Sequence, residues 1–148
     1  MAQPAGITRA PEAYDGAVWN ILGQTYVLKE VDESSMAWHA TFPSGTFVPP
    51  HIHPTQDEFI YMFEGTFDIW LDGQDMKAGP GDLIRMPRGL GHGIFNNSSS
   101  DVTCFFWVSP ARELRQLFER IHNVPDPAEV VRIAAEHEVD FLPPPTQD

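Results

Sequence analysis

The most informative stretch of the chain is GTFVPPHIHPTQDEFIYMFEG, residues 45–65, in which one residue separates His51 from His53 and Glu58 follows five residues after His53. Side chains two apart on a strand share a face, so both imidazoles can point at one place. Pro54, Thr55 and Gln56 let the chain turn before Glu58 presents a carboxylate to that same place. Imidazole with carboxylate suits Fe, Mn, Ni, Co, Cu or Zn better than Ca or Mg. The bland alternative for two histidines alone is a polar strand end.

Outward from this stretch the grammar is that of short strands and tight turns. TYVLKEV (25–31), SMAWHATF (35–42), FIYMFE (59–64), TFDIWL (66–71), DLIRM (82–86) and DVTCFFWV (101–108) are rich in aromatic and β-branched residues. SerGly at 44–45, AspGly at 72–73, GlyProGly at 79–81, ArgGly at 88–89 and AsnAsn at 96–97 punctuate them. Six strands are a minimum, and the pattern predicts an all-β antiparallel sandwich or barrel. After Pro110 the period changes. Leu114, Leu117, Phe118 and Ile121 form an apolar stripe over a helix expected at 111–122. A second helix is expected at 127–137, with Asp126 as N-cap, Pro127 in the first helical position, and Val130, Val131, Ala134 and Ala135 inward. The expected organisation is an N-terminal arm (1–16), a β-domain (17–110), C-terminal helices packed on it (111–142) and a proline-rich tail (143–148).

Composition narrows the function classes. The 148 residues suit one domain, and 42% hydrophobic against 20% charged residues gives it a core. A net charge of −12 is a poor match for nucleic acid or an anionic membrane, and neither is expected as a partner. No apolar run approaches the roughly 20 residues of a membrane span. The opening MAQPAGITRAPEAYDG has no signal-peptide pattern. The single cysteine, Cys104, lies in an apolar run and reads as inert, which together points to a cytoplasmic protein.

The second informative stretch is GDLIRMPRGLGHGIFN, residues 81–96. The first spaces Gly45, His51, His53, Glu58 and Gly65; the second spaces Gly81, Pro87, Gly89, His92 and Asn96. In order and without a gap, these two patterns resemble the two motifs of the cupin superfamily. The resemblance implies a cupin-type antiparallel β-barrel, or jelly roll, often dimeric, so a homodimer is expected. It further implies one divalent transition metal (Fe, Ni, Mn, Co or Zn) held by His51, His53, Glu58 and His92. Gly45, Gly65, Gly81, Gly89 and Pro87 read as structural, and Asn96 as a turn residue. GTFVPPHIHPTQDEFIYMFEGTFDIWLDG (45–73), AGPGDLIRMPRGLGHGIFN (78–96) and EVDFLPPP (138–145) further resemble the quercetin dioxygenase-like branch of small bacterial cupins.

Glu58 can coordinate a metal, or leave it to accept a proton from a bound enol or phenol. Alternation from Glu58 and His92 makes Ile60, Met62 and Ile94 candidate pocket walls, with Trp70, Phe106 and Trp107 as further candidates for a flat substrate or as plain core. Asp57 is expected to face away, His39 to be structural or at the surface, and His122 and His137 to face solvent at helix ends. Arg85 and Arg88 offer either an anion contact or a salt bridge. The expected function is a metal-dependent dioxygenase acting on a small phenolic, enol or flavonoid-type compound. Alternatives are a polyketide cyclase or isomerase working without O₂, and a non-catalytic binding cupin.

Overall fold

In the computed structural model, which describes residues 4–143, the six aromatic and β-branched segments are strands, and five further strands lie before, among and after them. In chain order they are β1 (Val18–Ile21), β2 (Gln24–Val31), β3 (Met36–Phe42), β4 (Phe47–Ile52), β5 (Asp57–Glu64), β6 (Phe67–Leu71), β7 (Gln74–Ala78), β8 (Leu83–Met86), β9 (His92–Phe95), β10 (Val102–Ser109) and β11 (Asp140–Phe141). They form a six-stranded sheet, β1-β2-β3-β10-β5-β8, and a five-stranded sheet, β11-β4-β9-β6-β7, with every pairing antiparallel.

The added strands are ones that composition hides. β7 is exposed over four of its five residues and has no apolar alternation to read. β1 enters β2 through Leu22-Gly23, and β6 enters β7 through Asp72-Gly73, two-residue turns with positive φ at both central residues. Asp-Gly announces such a turn, whereas Leu-Gly does not. Gly65 turns the chain between β5 and β6 at φ +85°, where a Cβ would sit 2.8 Å from Val102 Cγ2 and 2.9 Å from the Asp101 carbonyl oxygen. A side chain there would clash with a strand that cannot yield.

Alternation fills the space between the sheets. Val102, Cys104, Phe106 and Val108 of β10, Ile60 and Met62 of β5, and Phe67 and Ile69 of β6 all face inward and are buried with Trp38 and Phe42. Burial also pushes the Cys104 thiol pKa up, which suppresses the thiolate.

Two helices close one end. α1 (Leu114–Ile121) buries the expected stripe of Leu114, Leu117, Phe118 and Ile121, with Phe118 in edge contact with Trp19 and Trp38. It begins three residues later than expected because Arg112 adopts φ +47°. α2 (Pro127–Ala135) is capped by the Asp126 carboxylate, which accepts from the Ala128 N–H, but its buried residues are Val130, Ile133 and Ala134. Val131 and Ala135 face outward, since the 130/133/134 stripe, and not the 131/135 pair, meets the core. Residues 4–16 run beside β2, where Lys29 donates to the carbonyls of Arg9, Ala10 and Glu12. Of the expected tail, 144–148 lie outside the described residues. Among the described residues no helix is long and apolar enough to cross a membrane.

Candidate metal centre

β4 contains Pro49 and Pro50, which cannot donate to a ladder, and its pairing with β9 slips there: Val48 opposes Ile94 but His51 opposes His92. Three residues on β4 therefore span what two span on β9. The extra residue puts Val48 and His51 on the same inward face, where simple alternation would separate them. His53 follows β4 and receives the Gly89 N–H on its carbonyl. Glu58 enters from β5, paired with Met86 of β8 and Val108 of β10.

These four side chains converge. One nitrogen from each of His51, His53 and His92 and one Glu58 oxygen all lie within 4.8 Å of one another, and each residue is at most 5% exposed. Glu58 Oε2 is 2.8 Å from His53 Nε2 and 3.5 Å from His92 Nε2. Despite the closeness, Oε2 and both His92 nitrogens lack a partner in hydrogen-bonding geometry. Buried polar atoms are normally satisfied, so lone-pair atoms crowded around one point without a hydrogen-bond partner fit a cation between them.

Neighbouring groups fix which nitrogens face inward. His51 Nδ1–H donates to the Pro49 carbonyl at 2.8 Å, leaving its Nε2 lone pair free. Gln56 uses its amide hydrogens on the carbonyls of Pro110 and Ala111, so its Oε1 accepts from His53 Nδ1–H at 2.8 Å. Gln56 is a positioning residue that the motif spacing does not reveal. Its signal in the sequence is only its place between His53 and Glu58.

The electrostatics follow from burial and closeness. Burial raises the Glu58 pKa, but the His53 charge facing it at 2.8 Å and the His92 ring nearby outweigh it and hold the carboxyl well below its usual range. Burial pushes the His53 pKa down, yet the facing Glu58 carboxylate carries it above the ordinary value. His51 is pushed well below that value by burial, then by its two histidine neighbours.

The centre forms the polar end of a cavity whose other walls are apolar. Trp38, Val48, Ile94, Phe106 and residues of both helices line it, with Val139 and Phe141 beyond them. Of the expected pocket residues, Ile94 and Phe106 lie in this wall, whereas Ile60 and Met62 face the packed core away from it. Trp70 stands outside: β6 turns Ile69 inward, so Trp70 lies on the outer face, against the Gly91 backbone. Trp107 is likewise on an outer face, stacked on Phe59 at 5.2 Å. Tyr26, Trp38, Leu117, Phe118 and Phe141 are wall residues that strand alternation near the motifs could not reach, because separate elements supply them.

The remaining polar residues serve structure. Asp57 faces out and takes two side-chain hydrogen bonds and the backbone N–H of Arg88, which lower its pKa. Arg88 is thus in a salt bridge, and Arg85 is exposed on the outer face of β8. His39 stacks on Phe63 at 5.8 Å. His122 and His137 are half-buried rather than solvent-facing: His122 Nδ1 accepts the Asn20 N–H, and His137 sits beside Arg120 and Glu113.

The cupin domain family matches residues 38–109, a span that contains all four converging side chains. This chain belongs to the cupin superfamily. Over 96 residues this cupin is 26% identical to the tetracenomycin polyketide synthase protein TcmJ of Streptomyces glaucescens, covering 64% of each chain. Over 64 residues it is 30% identical to quercetin 2,3-dioxygenase of Bacillus subtilis (strain 168), covering 43% of this chain and 19% of that one. The match therefore spans less than two thirds of either relative. The structure of KdgF from Halomonas sp. shares the fold, with a TM-score of 0.67 at 21% identity, over 76% of this chain and 99% of that one.

Proposed function

We propose that this cupin is a metal-dependent enzyme of dioxygenase type that acts on a small phenolic, enolic or flavonoid-type compound. The observation that carries the reading is the junction of two environments: unpaired ligand atoms at one end of a cavity, and no lysine or arginine among its lining residues. A phosphorylated or polyanionic substrate would find no counter-charge there. A flat apolar molecule with one acidic oxygen meets both environments.

His51, His53 and His92 hold the metal, with Glu58 as the fourth ligand. When bound, a divalent transition metal supplies Lewis acidity and lowers the pKa of a phenolic or enolic hydroxyl. The Glu58 carboxylate is ionised and stands where it accepts that proton. Gln56 keeps His53 in the tautomer that ligation needs, and the apolar wall limits water at the reacting carbon. The likeness to TcmJ favours a second reading, in which the same proton transfer serves cyclisation or isomerisation without O₂.

The experiment is elemental analysis of protein purified without chelator or added metal, then anaerobic reconstitution with Fe(II), Mn(II), Ni(II) or Co(II). Oxygen uptake is then followed with a catechol, a β-diketone and a flavonol. Metal-dependent uptake with one of them supports the oxygenase; bound zinc without uptake under any reconstitution moves the assignment to cyclase, isomerase or binding protein.

We further propose a homodimer formed through the outer face of the six-stranded sheet. Phe59, Tyr61, Phe63, Phe105 and Trp107 cover it, with Tyr61 42% and Phe63 44% exposed. A contiguous aromatic face of this kind is what protein interfaces bury. Sedimentation of the wild type as a monomer would reject it.

A further inference from the structure

The cavity wall contains one polar group that neither the metal centre nor the fold uses. Trp38 is 2% exposed on the inward face of β3, and its indole Nε1–H finds no acceptor. Its ring is held on several sides: stacked on Phe106 at 5.2 Å, edge-on to Phe118 at 5.2 Å, and 6.0 Å from Tyr26. The other buried polar side chains of this region behave differently. Gln24 donates to the carbonyls of Leu22 and Phe47 and accepts from the Tyr26 hydroxyl at 2.8 Å, so Tyr26 and Gln24 satisfy each other. An indole usually finds a partner for its N–H when buried, because an unmet donor in an apolar setting carries a desolvation cost.

We propose that the Trp38 indole N–H is a specificity-determining hydrogen-bond donor, reserved for an uncharged acceptor oxygen on the ligand of this cavity. The assignment rests on the substrate reading above and narrows it. The ligand carries a second oxygen, a carbonyl or ether, apart from the acidic oxygen that meets the metal centre. A site that offers a buried donor discriminates against analogues lacking the acceptor, since they leave the donor unmet. An apolar wall alone would not.

The test is a double-mutant cycle on zinc-loaded protein with two probes of nearly equal size, 4-acetylcatechol and 4-ethylcatechol, which differ in a carbonyl oxygen remote from the diol. The ratio of their dissociation constants is compared between wild type and Trp38→Phe, so that lost ring volume cancels. Wild type is expected to prefer the acetyl probe about three- to tenfold more strongly than the variant does. An equal preference overturns the assignment. If the variant does not fold, the assigned indole ¹H–¹⁵N resonance of Trp38 in wild type replaces it. A downfield shift with the acetyl probe but not with the ethyl probe supports the donor role, and identical responses overturn it. Failure of both probes to bind zinc-loaded wild type counts against the substrate reading itself and removes the assignment with it.

Discussion

His92 and Asn96 lie four residues apart on β9 and its following turn, both at most 1% exposed, yet their polar atoms fare in opposite ways. Asn96 is fully satisfied: its amide donates to the carbonyls of Phe42 and Ser100, and its oxygen accepts from the Ser98 N–H and hydroxyl. Both nitrogens of His92 are unmet. Burial is equal, so the difference is one of purpose. At Asn96 the fold consumes the polar capacity of the side chain to close a turn, whereas at His92 it leaves that capacity unspent, where the proposed metal would use it. The same contrast separates Gln56, every polar group of which is engaged, from Glu58, whose Oε2 is not.

Substitutions at the two positions should therefore separate stability from ligation. The largest effect is expected at the metal: His92→Ala, or His51→Ala, should abolish metal binding and with it the metal-linked gain in stability, about 4 kcal/mol at free metal a thousandfold above Kd. Elemental analysis and thermal denaturation with and without metal read this directly, and full metal content in both variants would remove the proposed site. Asn96→Ala should do the reverse, costing roughly 2–4 kcal/mol in metal-free protein through unmet backbone groups while the folded fraction still binds metal. A loss of metal without a loss of stability would break the comparison.

Glu58→Gln preserves shape and removes the charge. Turnover should drop about 10²–10⁴-fold if the carboxylate moves the proton, with most of the metal retained. Steady-state kinetics beside metal analysis give both readouts, and undiminished turnover would exclude the base role.

The pH dependence sharpens the same contrast. Because Glu58 raises the His53 pKa above its ordinary value, the doubly protonated ring persists to higher pH in metal-free protein than in a free imidazole, and metal must displace its second proton. Affinity is expected to weaken as pH falls through that raised value, by about tenfold per pH unit for one displaced proton. Zinc titrations between pH 6 and 8 test the slope. The His51 pKa is depressed in the folded protein, so the unfolded chain binds the extra proton and metal-free stability falls as pH drops below about 6.5. The smallest effect belongs to the exposed ion pair, where Asp57→Asn should shift Tm by about 2 °C or less.

Much of this molecule was legible without coordinates. Six strands and two helices follow from period and turn residues, and the grouping of His51, His53 and Glu58 from their spacing, since those features act over a few residues; His92 joins them through the resemblance of residues 81–96 to the second cupin motif. β7 and β1 were not legible, because an edge strand facing solvent needs no apolar alternation and Leu22 is no turn signal. Val131 and Ala135 face outward against expectation because a short helix with apolar residues on two sides has its inward face chosen by what it packs against.

The sequence by itself determined that His51, His53 and Glu58 can meet at one place, because side chains two apart on a strand share a face, and its resemblance to the cupin motifs implied that His92 joins them. Tertiary structure alone decided what surrounds them. The bulge at Pro49–Pro50 turns His51 inward, Gln56 reaches the carbonyls of Pro110 and Ala111 about 55 residues away, and α1, α2 and β11 bring Phe118 and Phe141 to the cavity. A two-residue spacing on one strand is local and leaves a local signature. The shape of a cavity is a sum over contacts between distant segments, and no spacing along one strand records it.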